Sequence, residues 1–150
     1  MSRLPRHGTV ADVMTTRVHV ASPRTPFKLL VRLIEENRVS AIPIVDQQGI
    51  PIGIVSATDL LLKERGGSEA PGIIASEVMT SPAITVDSDT SLRRAASLMQ
   101  DRNVRRLVVV DERGRIAGIL TRSDLLQVFL RADPGLREGS PASASIPRPT

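Results

Sequence analysis

Residues 13–61 are repeated, without a gap, 65 positions later in the chain. Val13-Met14-Thr15 returns as Val78-Met79-Thr80, and Gly53-Ile54 returns as Gly118-Ile119. In this single register 14 of 49 positions are identical. A long fixed period indicates two copies of one structural unit, and units that cannot bury their apolar faces alone stack on each other. The sequence therefore predicts two stacked copies with related clefts between them, where ligands usually bind.

Composition narrows the possible functions. The chain has no cysteine, 20 basic and 16 acidic residues, and a formal net charge of +4. It has two Phe and no Trp or Tyr, so it offers no aromatic platform for nucleic-acid bases. So mild a charge does not mark a DNA-binding face, but it suits an anionic small molecule where a few Arg converge. No metal-ligand spacing links the two histidines, so we expect no metal site.

The N-terminal sequence and the lengths of the apolar stretches predict the cellular location. The N-terminus lacks the apolar run of a signal peptide, and no stretch of 18 apolar residues occurs in the chain. We therefore expect a cytoplasmic protein without a membrane span.

Each copy predicts the same order of elements, β-α-β-β-α. A short extended segment, 18–20 or 83–86, precedes a helix whose N-cap is Thr25 or Thr90. In the first copy Pro26 suits the first helical position. The helices should bury apolar stripes at helical spacing, which comprise Phe27, Leu30, Val31 and Ile34 in the first copy and Leu92, Ala95, Ala96 and Met99 in the second.

A hairpin and a second helix complete each predicted copy. The β-branched apolar runs 41–45 and 107–110 favour strands. Asp opens and Gly closes the turn that follows each run, at 46–49 and 111–114, as hairpin turns require. Return strands follow, and second helices begin near the acidic residues at 59 and 124, the last helix running to about residue 131. We expect a first domain at 8–65, a linker at 66–75, a second domain at 76–131 and a disordered tail at 132–150.

The segment that ends each hairpin combines groups that suit a phosphorylated sugar. A Gly in the return strand, Gly53 or Gly118, lets a ligand or another backbone approach closely. Hydroxyls and a carboxylate follow at the start of a helix, whose N–H groups suit a phosphate. These residues are Ser56, Thr58 and Asp59 in the first copy and Thr121, Ser123 and Asp124 in the second. Ser/Thr-x-x-Asp before an apolar run is also an ordinary helix cap, and both interpretations stay open at this point.

The doubled pattern resembles a pair of cystathionine-β-synthase (CBS) domains over about residues 8–131. The shared motifs are the leading Val-Met-Thr, the Val-Asp after the apolar strand, and the Gly-h-h-Ser/Thr-x-x-Ser/Thr-Asp segment (h, hydrophobic), each present twice. The resemblance implies an α+β fold, with two β-α-β-β-α repeats packed sheet to sheet about a pseudo-twofold axis. It also implies homodimerisation into a four-domain disc and an adenosyl ligand such as AMP, ADP, ATP or S-adenosylmethionine.

The resemblance also implies roles for individual residues. Asp59 and Asp124 would hold ribose hydroxyls, and the neighbouring hydroxyls would hold ribose or phosphate. Arg105 and Arg106, before the apolar strand of the second copy, would hold phosphate, whereas the first copy has Ser40 and Ala41 there. The base pocket would be lined by the leading strands and the start of the apolar strands, at Val18, Val20, Ile42, Ala83, Thr85 and Leu107.

This asymmetry predicts that the two clefts differ. A cleft around Asp124 with Arg105, Arg106 and Arg122 should bind a phosphorylated adenosine more tightly than the cleft around Asp59, by about 2 kcal/mol. In a twofold arrangement a side chain can also reach into the other copy's cleft. The Arg pair could therefore serve either site, with Arg17 and Arg38 as further candidates.

The favoured function is a regulatory module, not an enzyme, that senses an adenine nucleotide and signals to an effector protein. Only a short tail follows the repeats, so any output is expected to come from another chain or from oligomeric state. The alternative is a dimerisation scaffold that binds no ligand. An enzyme is not expected, because no nucleophile, base or metal cluster accompanies the two Asp residues. A nucleic-acid partner is not expected either.

Overall fold

The computed structural model describes residues 8–65 and 72–132. The first repeat contains helices α1 (Phe27–Asn37) and α2 (Ala57–Arg65) and strands β1 (Ala41–Val45) and β2 (Pro51–Ser56). The second repeat contains α3 (Ala75–Val78), β3 (Thr85–Asp87), α4 (Leu92–Arg102), β4 (Arg106–Val110), β5 (Ile116–Thr121) and α5 (Arg122–Ala132). The first repeat begins with a 3-10 turn, Val10–Asp12.

Strands of both repeats pair in the same way, which confirms the α+β prediction. The antiparallel pairs β1–β2 and β4–β5 carry matching registers, with Ile44 opposite Gly53 and Val109 opposite Gly118. Parallel strand β3 completes the second sheet. In the first repeat its counterpart is one parallel bridge between Ala21 and Ile44, so the extended segment predicted at 18–20 pairs one residue later.

The sequence predicted the two hairpin turns correctly, but it placed the N-caps of α1 and α4 one residue too early. Asp46 and Asp111 each accept two backbone N–H bonds within their turns, and Gly49 and Gly114 adopt positive φ of 84° and 80°. The predicted N-cap Thr25 is wrong, because its Oγ1 instead accepts from Ser22 N at 2.9 Å and Pro26 occupies the cap position.

The second repeat shifts its cap in the same direction. Ser91, not the predicted Thr90, caps α4 by accepting from Arg94 N at 3.0 Å. The predicted stripe of this helix is buried or partly buried throughout. On α1 the stripe holds except at Val31, which is exposed, while Leu33 packs against the core in its place. The predicted linker lies largely, and the predicted tail almost wholly, outside the described residues.

The two repeats exchange their leading segments. Val10 is fully buried in the core of the second repeat, and its N–H donates to Thr90 O at 2.8 Å. Reciprocally, Ala75 is fully buried in the core of the first repeat and donates to Thr25 O at 2.9 Å. Each hydrophobic core therefore contains a residue whose sequence position belongs to the other copy.

The glycines of the return strands lie where these exchanged segments cross. A Cβ at Gly53 would lie 2.6 Å from Met79 Sδ, and a Cβ at Gly118 would lie 2.8 Å from the backbone oxygen of Thr15. Thr15 and Ile119 exchange two backbone hydrogen bonds of 2.9 Å at this point. The backbone and the Met side chain of the crossing segment, rather than a ligand, therefore explain the absence of a side chain at both positions.

Neither a membrane-spanning helix nor a cluster of metal-binding side chains is present among the described residues. No helix in the described ranges is long and apolar enough to cross a membrane. Within the same ranges, no three His, Asp or Glu side chains are grouped so as to hold a metal ion.

Candidate functional site

One reciprocal pair of hydrogen bonds lies at the start of the second helix of each repeat. Asp59 Oδ2 accepts from Ser56 N at 2.8 Å, and Asp59 N donates to Ser56 Oγ at 3.1 Å. Thr121 and Asp124 repeat the arrangement at 2.8 and 3.1 Å. The capping interpretation is therefore confirmed. It does not compete with ligand binding, because each carboxylate has a second oxygen that can accept a ligand hydroxyl.

A cleft of about 420 Å³ opens beside Asp59, and both repeats build it. We call it the Asp59 cleft. The first repeat contributes the end of β2 and the start of α2, and the second contributes the segment before β3 and the α4–β4 connection. The lining residues are Ser40, Ile54, Ser56, Ala57, Thr58, Asp59, Thr80, Pro82, Ala83, Ile84, Asn103, Val104, Arg105, Arg106 and Val108.

A second cleft, of about 250 Å³, is its counterpart across the pseudo-twofold relation. We call it the Thr121 cleft. Apart from Arg106, whose equivalent Ala41 does not line the Asp59 cleft, its residues map 65 positions away onto residues of that cleft. They are Thr15, Arg17, Val18, His19, Arg38, Val39, Ser40, Ala41, Pro43, Arg106, Ile119 and Thr121. Thr121 lines this cleft as predicted, but the predicted site residues Ser123 and Asp124 are not among its lining residues.

The structure corrects the grouping of the two arginines. Arg105 lines the Asp59 cleft, and Arg106 lines both that cleft and the Thr121 cleft. The connection between α4 and β4 lies opposite the end of β2 in the other repeat, which places both arginines beside Asp59. Arg122, the third arginine of the predicted group, lies instead in a separate groove between α4 and α5. The tighter binding expected beside Asp124 loses Arg105 and Arg122 as support, keeps Arg106, and stays a prediction.

Strand alternation corrects the predicted base pocket. Ala41 and Pro43 of β1 face the Thr121 cleft, whereas Ile42 is fully buried in the core of the first repeat. Leu107 is likewise buried in the second core. Successive side chains of a strand point to opposite faces, so a residue beside the cleft-facing Arg106 must face the helices.

The leading segments supply the remaining part of each pocket. Val18 and Ala83 line the clefts as predicted, while Val20 and Thr85 are exposed and lie outside them. His19 and Ile84 lie within the predicted leading strands, whereas Val104, which sequence reasoning left out, lies next to the predicted Arg105. Because β1 is wholly apolar and β4 is apolar after Arg106, no alternation of apolar and polar residues marked which side chains face the clefts.

Arg106 is a partly buried positive charge in the Asp59 cleft. Burial lowers the pKa of its guanidinium below the usual value, the charge of Arg105 lowers it further, and Asp59 opposes both effects. An arginine stays protonated under these influences. Its Nη2 donates to Ser40 Oγ of the other repeat at 3.2 Å. The result is a partly desolvated cation, which gains more from an anionic ligand than a fully solvated one does.

Arg38 lines the Thr121 cleft in a strained conformation. It ends α1 with φ of 54° and ψ of 43°, the left-handed region, which Asn adopts at the equivalent position 103. A residue with a bulky side chain is uncommon there and destabilises the backbone by about 1–2 kcal/mol. The strained backbone of Arg38 thus lies at a residue whose positive charge lines the Thr121 cleft, as strained residues often do at functional sites.

We expect Arg38→Asn to raise the free energy of unfolding by about 0.5–1 kcal/mol, because Asn tolerates this conformation better. The same change should weaken anion binding in the Thr121 cleft. Urea unfolding followed by circular dichroism measures the first effect. The matched variant Asn103→Arg should do the opposite, and a loss of stability in Arg38→Asn would show that side-chain contacts outweigh backbone strain.

Two repeats with exchanged leading segments, enclosing two related clefts, define a tandem repeat pair rather than two independent domains. The chain matches the CBS domain family over residues 10–66 and 75–131. It therefore belongs to the CBS domain family, as its motifs predict.

Relatives and solved structures agree with this assignment. An uncharacterized protein of Methanopyrus kandleri is 34% identical over 124 residues, covering 82% of this chain and 63% of that protein. The chain thus spans less than two thirds of that relative. The structure of CBSX2 from Arabidopsis thaliana in complex with AMP has a TM-score of 0.74 and 34% identity, and covers 82% of this chain and 96% of that one.

A more distant structure has a similar fold. The cytosolic domain of the Mg²⁺ channel MgtE, solved in complex with ATP, has a TM-score of 0.70 and 27% identity. The match covers 84% of this chain and 50% of that one. CBS pairs similar to this chain thus include structures with bound adenine nucleotides.

Proposed function

We propose that this protein is a regulatory module that binds an adenine nucleotide and carries out no chemistry itself. The carrying observation is the Asp59 cleft, where a carboxylate, a helix N-terminus and two arginines converge from different repeats. The bound AMP of CBSX2 supports the choice of ligand class. The cytoplasmic location expected from the sequence stays a prediction.

Each part of a nucleotide has a complementary wall in this cleft. Asp59 and the hydroxyls of Ser56 and Thr58 suit ribose, since vicinal hydroxyls can donate to a carboxylate. Arg105 and Arg106 suit phosphate, which arginine binds in a bidentate manner. The remaining wall is apolar and suits an adenine ring; it consists of Ile54, Ala83, Ile84, Val104 and Val108.

The output of the module would pass through its helices. Leu61 and Leu126 occupy equivalent positions on α2 and α5 and remain 64% and 53% exposed. Exposed apolar side chains at equivalent positions of the two repeats favour an interface. We propose that they support a homodimer, the four-domain disc that the family resemblance implies, and contact with an effector protein. The same observation favours the second candidate function, a dimerisation scaffold that binds no ligand.

A thermal-unfolding screen separates the two functions. AMP, ADP, ATP, NAD, S-adenosylmethionine and GMP are each added to the protein, with circular dichroism as probe because the chain has no Trp or Tyr. A ligand present at about 100 times its Kd should add about 2.7 kcal/mol of stability and raise Tm. A shift with one or more adenosyl ligands and none with GMP is expected.

Matched variants test whether the Asp59 cleft causes the shift. Asp59→Asn keeps an acceptor for the helix cap but removes the charge, and it should diminish the ligand-induced shift. Asp101→Asn changes an exposed carboxylate near the end of α4 and should leave the shift intact. A stable protein that responds to none of the ligands would favour the scaffold.

A further inference from the structure

The two clefts meet at a shared wall. Arg106 and Ser40 each line both the Asp59 cleft and the Thr121 cleft. They belong to different repeats and are joined by the 3.2 Å hydrogen bond from Arg106 Nη2 to Ser40 Oγ. The position equivalent to Arg106 in the first repeat is Ala41, so the chain has one guanidinium here and not a symmetric pair.

One guanidinium cannot serve two phosphates equally well. Its planar fork binds a single phosphate in a bidentate manner, and turning towards one cleft withdraws donors from the other. Two phosphates brought to the same side chain would also repel each other across a partly buried wall. Arg106 is partly buried, so solvent screens this repulsion less than it would at an open surface.

We propose that Arg106 is a phosphate contact shared by both clefts, so that a phosphorylated adenosyl ligand in one cleft weakens binding of a second in the other. The proposal rests on the proposed function and adds negative cooperativity to it. Coupling between sites in proteins is commonly 5- to 150-fold, and we expect about 10-fold here. Adenosine, which has no phosphate, should bind the two clefts without this coupling.

The test compares each cleft alone with both clefts together. Ala83→Phe places a large side chain in the Asp59 cleft, and Val18→Phe does the same in the Thr121 cleft. Calorimetric titration with AMP gives the affinity of each remaining cleft. In the unsubstituted protein, the second AMP should bind about 10-fold more weakly than the corresponding single-cleft variant predicts. Titration with adenosine should show no such difference.

Substitution of the shared residue provides the control. Arg106→Ala should remove the coupling, so that its AMP isotherm equals the sum of two independent sites. Arg102→Ala, at an exposed position at the end of α4, should retain it. If a filled-cleft variant does not fold, the ratio of the two AMP dissociation constants should still exceed the adenosine ratio in the unsubstituted protein, and the two should converge in Arg106→Ala.

The possible failures are distinguishable. AMP binding to two independent clefts in the unsubstituted protein would overturn the sharing of Arg106 and leave the proposed function standing. Absence of binding by AMP and by adenosine would overturn both proposals.

Discussion

Val10→Asp should lower the free energy of unfolding by more than about 4 kcal/mol, and the effect should fall on the second repeat although Val10 belongs to the leading segment of the first. Its side chain is fully buried among Leu92, Val109 and Val128. An unpaired charge in such a core is among the few single changes expected to exceed that magnitude. Urea unfolding monitored by circular dichroism measures the loss.

The adjacent residue provides the control. Ala11 lies on the same 3-10 turn with an exposed side chain, so Ala11→Asp should change stability by no more than about 0.5 kcal/mol. Hydrogen exchange then locates the damage, and protection in Val10→Asp should fall first in α4 and α5. Preferential loss in α1 and α2 would contradict the exchange of leading segments.

Arg106→Glu should weaken AMP binding by about 100-fold while leaving adenosine affinity within about threefold. A hydrogen bond to a charged group contributes about 1.5–3 kcal/mol, and each 1.4 kcal/mol corresponds to a factor of ten in affinity. The introduced carboxylate also repels phosphate and the nearby Asp59. Calorimetric titration with both ligands separates the phosphate contribution from the rest of the binding free energy.

Arg102→Glu changes the charge by the same amount at an exposed position and should weaken AMP binding by less than about threefold. Equal losses for AMP and adenosine in Arg106→Glu would mean that Arg106 shapes the cleft rather than binding phosphate. Unchanged AMP affinity would place the phosphate elsewhere, with Arg17 and Arg38 of the Thr121 cleft as the next residues to substitute.

Features governed by near neighbours could be predicted from the sequence. The turns at 46–49 and 111–114 depend on an Asp side chain bonded within four residues and on a Gly at positive φ. The caps at Ser56 and Thr121 depend on a partner three residues away. The start of α1 was misplaced because Thr25 could bond forwards or backwards, and Ser22 offers a donor on the other side.

Features of the site depended on strand faces and on contacts between repeats. The assignment of Ile42 and Leu107 to the base pocket was wrong by one residue along each strand. Their neighbours face the clefts, so these two side chains face the cores. The placement of Arg105 and Arg106 depended on how the two copies pack. Each cleft combines residues of one repeat with residues of the other, so the sequence of one copy could not assign the arginines to a cleft.

The sequence by itself determined that this chain has two copies of a β-α-β-β-α unit, the family it belongs to, and the residues that end each hairpin with a capped helix. Periodicity and short-range hydrogen bonding carry that information along the chain. Only the tertiary structure decided that the copies exchange leading segments, that Asp59 shares its cleft with Arg105 and Arg106, and that one arginine reaches both clefts. Those contacts join residues dozens of positions apart, and they depend on which faces the two cores bury against each other.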